Sequence, residues 1–298
     1  MQIAITGATG FLGRYIVHRL AAAGHFCRCW YREESDRGGF EACESMLDWI
    51  PGALGDTQSS LELVTDCDAV VHAALYRVGA DFRGGEGDLT LFLEQNLIGT
   101  IKLVESARMQ DVSRFVFISS CAVHEQIFDD RPLDETHPAS PKSHYGAHKA
   151  AIEQFIHSFG WGMDYDICAL RPTGIYGLAR PAERSKWFDL IQRVVRGEPV
   201  ACRYGGKEVH AEDVARAIEI LLSAKDIAGE TYNCYDRYVS EYDVATLAKR
   251  LTQSESRIDG QPKQPVHNIE TGKLQRLGMQ FGGDSLLEKT VRELIERM

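Results

Sequence analysis

The heptapeptide GATGFLG at residues 7–13 constrains the fold more than any other stretch of the chain. It follows a short apolar run, Gln2–Thr6, and opens a periodic apolar stretch, residues 11–23, that stops at Gly24. That order reads as strand, glycine turn, helix and helix stop. Glycine at position 7 permits a tight turn, at position 10 a close approach of an anion to the backbone, and at position 13 close packing of helix on sheet. The helix start leaves backbone amides unpaired, and these suit a pyrophosphate. Gly7, Thr9, Gly10, Phe11, Leu12 and Gly13 are therefore the candidate dinucleotide-binding turn. Three glycines can also make an ordinary loop, but their place at the first strand-to-helix junction argues for the binding role.

The following segments extend this unit. Phe26–Tyr31 reads as a second strand with Arg32 at its end, where an acid usually selects NAD and a cation NADP. Arg32, with Arg37 nearby, is expected to pair with a 2′-phosphate, so NADP is the preferred cofactor and NAD the alternative. Glu33 and Glu34 weigh against that choice. A short third strand at residues 49–51 precedes Gly55 and Asp56; the acid suits either an adenine amino group or the cap of a helix at residues 57–65. A buried strand at residues 69–74 ends in Ala73 and Ala74, whose small side chains leave room for cofactor. Strands alternating with helices predict an α/β fold with a Rossmann-type, doubly wound parallel sheet.

A fifth strand, residues 115–119, brings Ser119 and Ser120 to the carboxyl edge of the sheet. Further on, Tyr145 and Lys149 stand four apart on one helical face. A phenol, an ammonium and a serine hydroxyl form a proton-transfer set: the phenol exchanges a proton with the reacting oxygen, the ammonium favours the phenolate, and the serine orients that oxygen. YxxxK alone is a weak motif and fits an ordinary surface pair. Its value comes from following the glycine turn and the serine strand in the order one crevice requires. His144 and His148 share that helix spacing, but without a third ligand or an embedded Glu they read as packing or tuning groups, and no metal is expected.

These motifs resemble the extended short-chain dehydrogenase/reductase family, in particular its epimerase/dehydratase-like branch. The likeness lies in TGATGFLG, Gly55-Asp56, HAA at 72–74, ISSCAV at 118–123, YGAHK at 145–149, LRPTGIYG at 170–177 and VHAEDVARA at 209–217. It implies Tyr145 as acid/base, Lys149 as electrostatic partner and ribose anchor, and Ser120 as the catalytic hydroxyl. It implies that Asn96 supports the active-site backbone, a simple polar role on a helix being nearly as good a reading. It also implies that Pro172, Thr173 and Ile175 pass near the nicotinamide, and that the chain forms a homodimer through helices around residues 89–108 and 145–159. Two departures bear on the reaction. His124-Glu125 replaces the familiar Tyr-Gly after the serine, so His124 is a candidate to face substrate. Cys121-Ala122 stands where sugar-nucleotide 4,6-dehydratases usually carry an acidic pair, which argues against elimination.

Regular alternation weakens after the sixth strand, residues 165–171. The expected division is a dinucleotide core of residues 1–171, completed by about 208–235, and a smaller substrate lobe of 172–207 and 236–298. Arg180, Arg184 and Arg203 are candidates for an anionic group, though surface solvation explains each by itself. A formal charge of −10 argues against nucleic acid or an anionic membrane as partner. The eight cysteines lack a CxxC pair and read as reduced core residues rather than a Cys27/Cys29 metal pair; with no membrane-length apolar run, this predicts a cytoplasmic protein. The expected function is hydride transfer between NAD(P) and a carbonyl or hydroxyl of a small molecule, with nucleotide-linked molecules among the candidates. The alternatives are a nucleotide-sugar 4-epimerase holding NAD tightly, and a non-catalytic dinucleotide-binding regulator.

Overall fold

A computed structural model describes residues 1–79 and 84–298. In chain order it runs β1 (Gln2–Thr6), α1 (Phe11–Ala22), β2 (Phe26–Tyr31), β3 (Leu47–Pro51), α2 (Thr57–Val64), β4 (Ala69–His72), α3 (Leu89–Leu93), α4 (Gly99–Met109), β5 (Arg114–Ile118), α5 (His144–Met163) and β6 (Asp166–Pro172). There follow β7 (Gly174–Tyr176), α6 (Phe188–Val195), β8 (Val200–Ala201), β9 (Gly205–His210), α7 (Ala211–Ser223), β10 (Glu230–Cys234) and β11 (Arg237–Ser240). The chain closes with α8 (Glu241–Thr252), β12 (Ile258–Asp259), α9 (Gly272–Arg276) and α10 (Gly283–Ile295).

Two compact units divide the chain. The first comprises Met1–Pro172, Val214–Cys234 and Glu270–Met279, and the second Thr173–Asp213, Tyr235–Ile269 and Gln280–Met298. In the first, seven strands among the described residues form one sheet in the order β10-β6-β5-β4-β1-β2-β3, every pairing parallel. Such strands are apolar along their length because helices cover both faces, and Ile3, Ile5, Val71, Val116 and Ala169 are fully buried. One face packs Val70, Phe115 and Phe117 with Leu63, Leu103, Ile152 and Ile156 from α2, α4 and α5. The strand order reverses between β1 and β4, and a crevice opens beyond the carboxyl ends of strands at such a switch point. The sheet is thus the Rossmann type that the alternation predicts.

The second unit is smaller. A three-stranded sheet, β11-β9-β7, belongs to it with a two-stranded pair, β12-β8. Its core joins Tyr176, Phe188, Ile191 and Val194 to Val244, Ala248, Leu287, Val291 and Leu294. The segment Glu270–Met279 packs in the first unit, where Glu270 N donates to Leu133 O at 2.9 Å and Lys273 Nζ to Thr231 O at 2.8 Å. Among the described residues no helix is long and apolar enough to cross a membrane.

Candidate active site

The glycine turn sits at the switch point. Gly7 has φ +73°, and a Cβ there would lie 2.8 Å from Ala73 C and Ala74 N, so the turn leaving β1 abuts the residues leaving β4. A Cβ on Gly13 would meet Gly7 O at 2.0 Å, which only a glycine avoids as α1 packs against its own turn. At Gly10, the N-cap of α1, a Cβ would approach nothing closer than Gly7 O at 3.2 Å, and no side chain caps the helix. The first-turn amides of Phe11 and Leu12 are therefore available, which fits a dinucleotide pyrophosphate. Thr9 contributes its carbonyl to Arg14 Nε at 3.2 Å.

A buried polar chain fixes the wall facing this turn. Thr6 and His72 are register partners, and Thr6 Oγ1 lies 2.6 Å from His72 Nδ1, while His72 Nε2 lies 2.8 Å from Thr100 Oγ1. Thr100 Oγ1 donates to Asn96 O at 2.5 Å, so it can only accept from His72 Nε2. Nδ1 is then bare and accepts from Thr6 Oγ1, which in turn accepts the Ala74 amide at 3.1 Å. Burial, with the Lys149 charge, pushes the His72 pKa down to about 3, consistent with the neutral ring this order needs. Asn96 lies in a π-helical turn, Glu94–Ile98, where its side chain accepts from Tyr76 N at 2.7 Å and donates to Tyr76 O at 2.9 Å. It therefore braces backbone just beyond Ala74. Thr6 and His72 stand in the TGATGFLG and HAA motifs without a role of their own, and Thr100 outside any motif, because the proton order emerges only once the strands are paired.

Lys149 and Tyr145 project from the first turns of α5. Ser143 caps that helix by accepting Gly146 N at 3.1 Å, a contact that stabilises a helix by about 1 kcal/mol. Glu125 Oε2 adds acceptors for Lys142 N at 2.5 Å and Ser143 N at 2.7 Å. Gly146 permits close approach, since a Cβ there would strike Ala122 O at 2.5 Å. The first turn of α5 is thereby seated on the turn Cys121–His124 that follows Ser120. Ser120 Oγ accepts Ala122 N at 3.1 Å and caps that turn. Lys149 Nζ donates to Ile118 O at 2.7 Å, lies over the Phe117 ring at 4.4 Å and stands 6.0 Å from the Tyr145 ring centroid. Burial lowers its pKa to about 7 against the opposing charge of Glu153. Ser120, Tyr145 and Lys149 thus gather at the carboxyl end of β5.

Other expected residues land differently. His124 does not face outward: it is buried, with Nε2 accepting from Arg171 Nη1 at 3.1 Å and Nδ1 3.3 Å from Pro138 O. Burial and the Arg171 charge lower its pKa to about 4. Asp56 caps α2, its carboxylate accepting Gln58 N at 3.1 Å and Ser59 N at 3.3 Å, and these bonds hold its pKa below the usual carboxylate value. Pro172 ends β6 in the first unit, whereas Thr173 and Ile175 belong to the second. His148 is buried against Phe92 and Tyr145, while His144 is exposed; among the described residues no cluster of three or more His, Cys, Asp or Glu is placed to hold a metal. Arg180, Arg184 and Arg203 are exposed in the second unit.

Comparison with known proteins bears on the family and the fold. Residues 3–234 match the model of a family described as the NAD dependent epimerase/dehydratase family. Among curated proteins, the low-salt glycan biosynthesis protein Agl12 of Haloferax volcanii is 27% identical over 243 residues, covering 78% of this chain and 76% of that protein. A 4-hydroxy-2-methyl-3-oxo-4-farnesyl-3,4-dihydroquinoline-1-oxide ketoreductase of Stigmatella aurantiaca is 29% identical over 241 residues, 78% of this chain and 67% of that protein. The fold matches the UDP-glucose 4-epimerase of Thermus thermophilus, solved in complex with NAD, with a TM-score of 0.78, 23% identity and 99% coverage of both chains. The protein is an enzyme of the extended short-chain dehydrogenase/reductase type and belongs to the NAD dependent epimerase/dehydratase family.

The expectation of NADP is corrected accordingly. The family is NAD dependent, and the similar T. thermophilus enzyme was solved with NAD. The physical reason is visible after β2: Arg32 is exposed and its Nε pairs with Glu34 Oε1 at 3.1 Å, while Arg37 lies over the Tyr31 ring at 4.4 Å. Arg14 is also committed, to Gly38 O at 2.6 Å and Asp36 O at 2.5 Å. Of the two adjacent acids that weighed against a phosphate-binding Arg32, Glu34 pairs with it.

Proposed function

We propose that this protein is a 4-epimerase of nucleotide-linked sugars that retains NAD through its catalytic cycle. The observation that carries the reading is the composition of the turn after Ser120. Elimination requires an acid–base pair beside the reacting hydroxyl, yet Cys121 and Ala122 occupy those positions, and the carboxylates near them are engaged, Glu125 at the start of α5 and Glu153 with Arg171. What remains is a set suited to oxidation and reduction at one carbon. Bound NAD supplies the reversible hydride acceptor. Tyr145 takes the proton of the substrate hydroxyl as the carbon is oxidised, and Ser120 holds that oxygen. Lys149 stabilises the phenolate and anchors the ribose. Once the keto sugar has turned in the site, Tyr145 would return the proton to the oxygen at the inverted carbon. Gly7, Thr9, Gly10, Phe11, Leu12 and Gly13 hold the pyrophosphate, with Asp56, Ala73, Ala74 and Pro172 lining the dinucleotide path. The second unit, with Thr173 and Ile175, is assigned to substrate.

A second reading, a carbonyl reductase that exchanges its cofactor, is favoured by the named ketoreductase activity of the Stigmatella relative. Native mass spectrometry of gently purified protein separates the two. The epimerase reading expects stoichiometric NAD that survives desalting; a protein purified empty that captures NADH reversibly would favour the reductase. The same spectrum tests the proposed homodimer, for which half-exposed Ile98 (49%) and Phe155 (45%) offer apolar contact beside α4 and on α5. A mass of one 33.3 kDa chain would contradict it.

A further inference from the structure

The residues around Ser120 reach one buried ion pair at two points, Ser119 through its carboxylate and His124 through its guanidinium, while Cys121 meets the main chain of Arg171. Arg171 and Glu153 are 4% and 1% exposed, and they meet in a two-pronged contact, Nε to Oε1 at 2.9 Å and Nη2 to Oε2 at 2.8 Å. Ser119 Oγ donates to Glu153 Oε1 at 2.5 Å, and Cys121 Sγ to Arg171 O at 3.0 Å. Arg171 Nη1 also donates to His124 Nε2, which closes the far end of the turn. Glu153 lies one step further along the face of α5 that carries Tyr145 and Lys149, at positions i, i+4 and i+8. Four elements therefore converge on one pair: the end of β5, the turn after it, the end of β6 and the catalytic helix.

We infer that the Arg171–Glu153 pair is a positioning device that sets the register of Ser120 against Tyr145 and Lys149. This rests on the catalytic roles proposed above. A buried pair is a costly way to gain stability, because desolvating both charges offsets their attraction, and apolar replacement of both is often neutral. Its geometric consequence is different. The planar guanidinium admits one orientation of the carboxylate, and the remaining donors and acceptors hold Ser119 before Ser120 and His124 at the end of the turn after it. An apolar pair fills the same space without that register. Glu153 also faces Lys149, so its charge helps keep the buried amine protonated.

The test compares Glu153→Gln, Arg171→Met and the double variant Glu153→Leu/Arg171→Met with Tyr145→Phe, in NAD-bound protein. UDP-glucose, UDP-N-acetylglucosamine, UDP-glucuronic acid and dTDP-glucose serve as probes, the wild type selecting the one turned over. Each single variant leaves a buried group unpaired and is expected to melt earlier, whereas the double variant recovers much of that stability. Its kcat nonetheless stays down by roughly 10- to 100-fold, with KM and NAD content near wild type, as expected for misplacement of the reacting groups. In Glu153→Gln the high-pH fall of kcat, where Lys149 loses its proton, moves to lower pH. Among the described residues, the titratable groups facing Lys149 include Glu153 and Tyr145 on α5, with His148 on α5 and His72 on β4, the two histidines held neutral. A folded double variant with wild-type kcat, or an unmoved pH limb, would overturn the inference. Wild-type turnover in Tyr145→Phe would instead sink the reading beneath it.

Discussion

Lys149→Met protein turns over roughly a hundred- to a thousandfold more slowly than wild type, yet at pH 6 it melts at a higher temperature. The rate falls because the positive charge that supports the Tyr145 phenolate is gone. Stability rises because that charge is a burden on the fold. Lys149 is buried, and its pKa is lowered from 10.5 to about 7, so between those values the folded protein binds fewer protons than the unfolded chain. Wild-type stability from this group therefore rises with pH across that window and carries the full cost of the buried ammonium below it. Methionine carries no such cost. The gain at pH 6 is about 1 to 3 kcal/mol, reduced by loss of the bond to Ile118 O, and it shrinks as pH approaches 10. Thermal melts at pH 6 and pH 9.5 check the sign; a variant that melts lower at pH 6 would refute the assigned burial cost.

Gly13→Ala is expected to abolish useful NAD binding, lowering affinity by more than about 100-fold, and to cost about 2 to 3 kcal/mol of stability. The added Cβ would meet Gly7 O at 2.0 Å and Ala8 Cα at 2.8 Å, both backbone atoms, so relief requires opening the turn itself. Gly24→Ala is the matched control. Gly24 has φ +83° but open space around it, so the alanine strains the backbone by about 1 kcal/mol without disturbing the cofactor turn. Urea denaturation and NAD titration of both variants separate packing at the turn from ordinary backbone strain. Equal NAD affinity in the two would contradict the role given to Gly13.

Much of the first unit was legible because its signals are local. The turn at residues 7–13, the strands Gln2–Thr6 and Phe26–Tyr31 and the helix opening at Thr57 are set by apolar period, glycine and capping, and each forms where those signals place it. The choice of NAD was not, because the sequence sets Arg32 beside Glu33 and Glu34 without showing that Glu34 pairs with it. His124 was misplaced for a related reason: its neighbours Arg171 and Pro138 come from distant segments. Glu153 carried a readable sign, since it continues the four-residue spacing of Tyr145 and Lys149. Arg171 lay inside a quoted motif without a task. No pattern marked the π-helical turn around Asn96, or the return of Glu270–Met279 to the first unit, since both depend on packing between remote parts of the chain.

The most direct measurement follows hydrogen at C4 of the sugar. NAD-bound protein is incubated in D2O with UDP-glucose, UDP-N-acetylglucosamine, UDP-glucuronic acid or dTDP-glucose deuterated at C4 or unlabelled, and the products are read by NMR. The epimerase account expects inverted configuration at C4, retention of the substrate's own hydrogen or deuterium there, no solvent label and no accumulation of NADH. A 4-keto-6-deoxy product, stoichiometric NADH, or unchanged C4 configuration with every probe would contradict it.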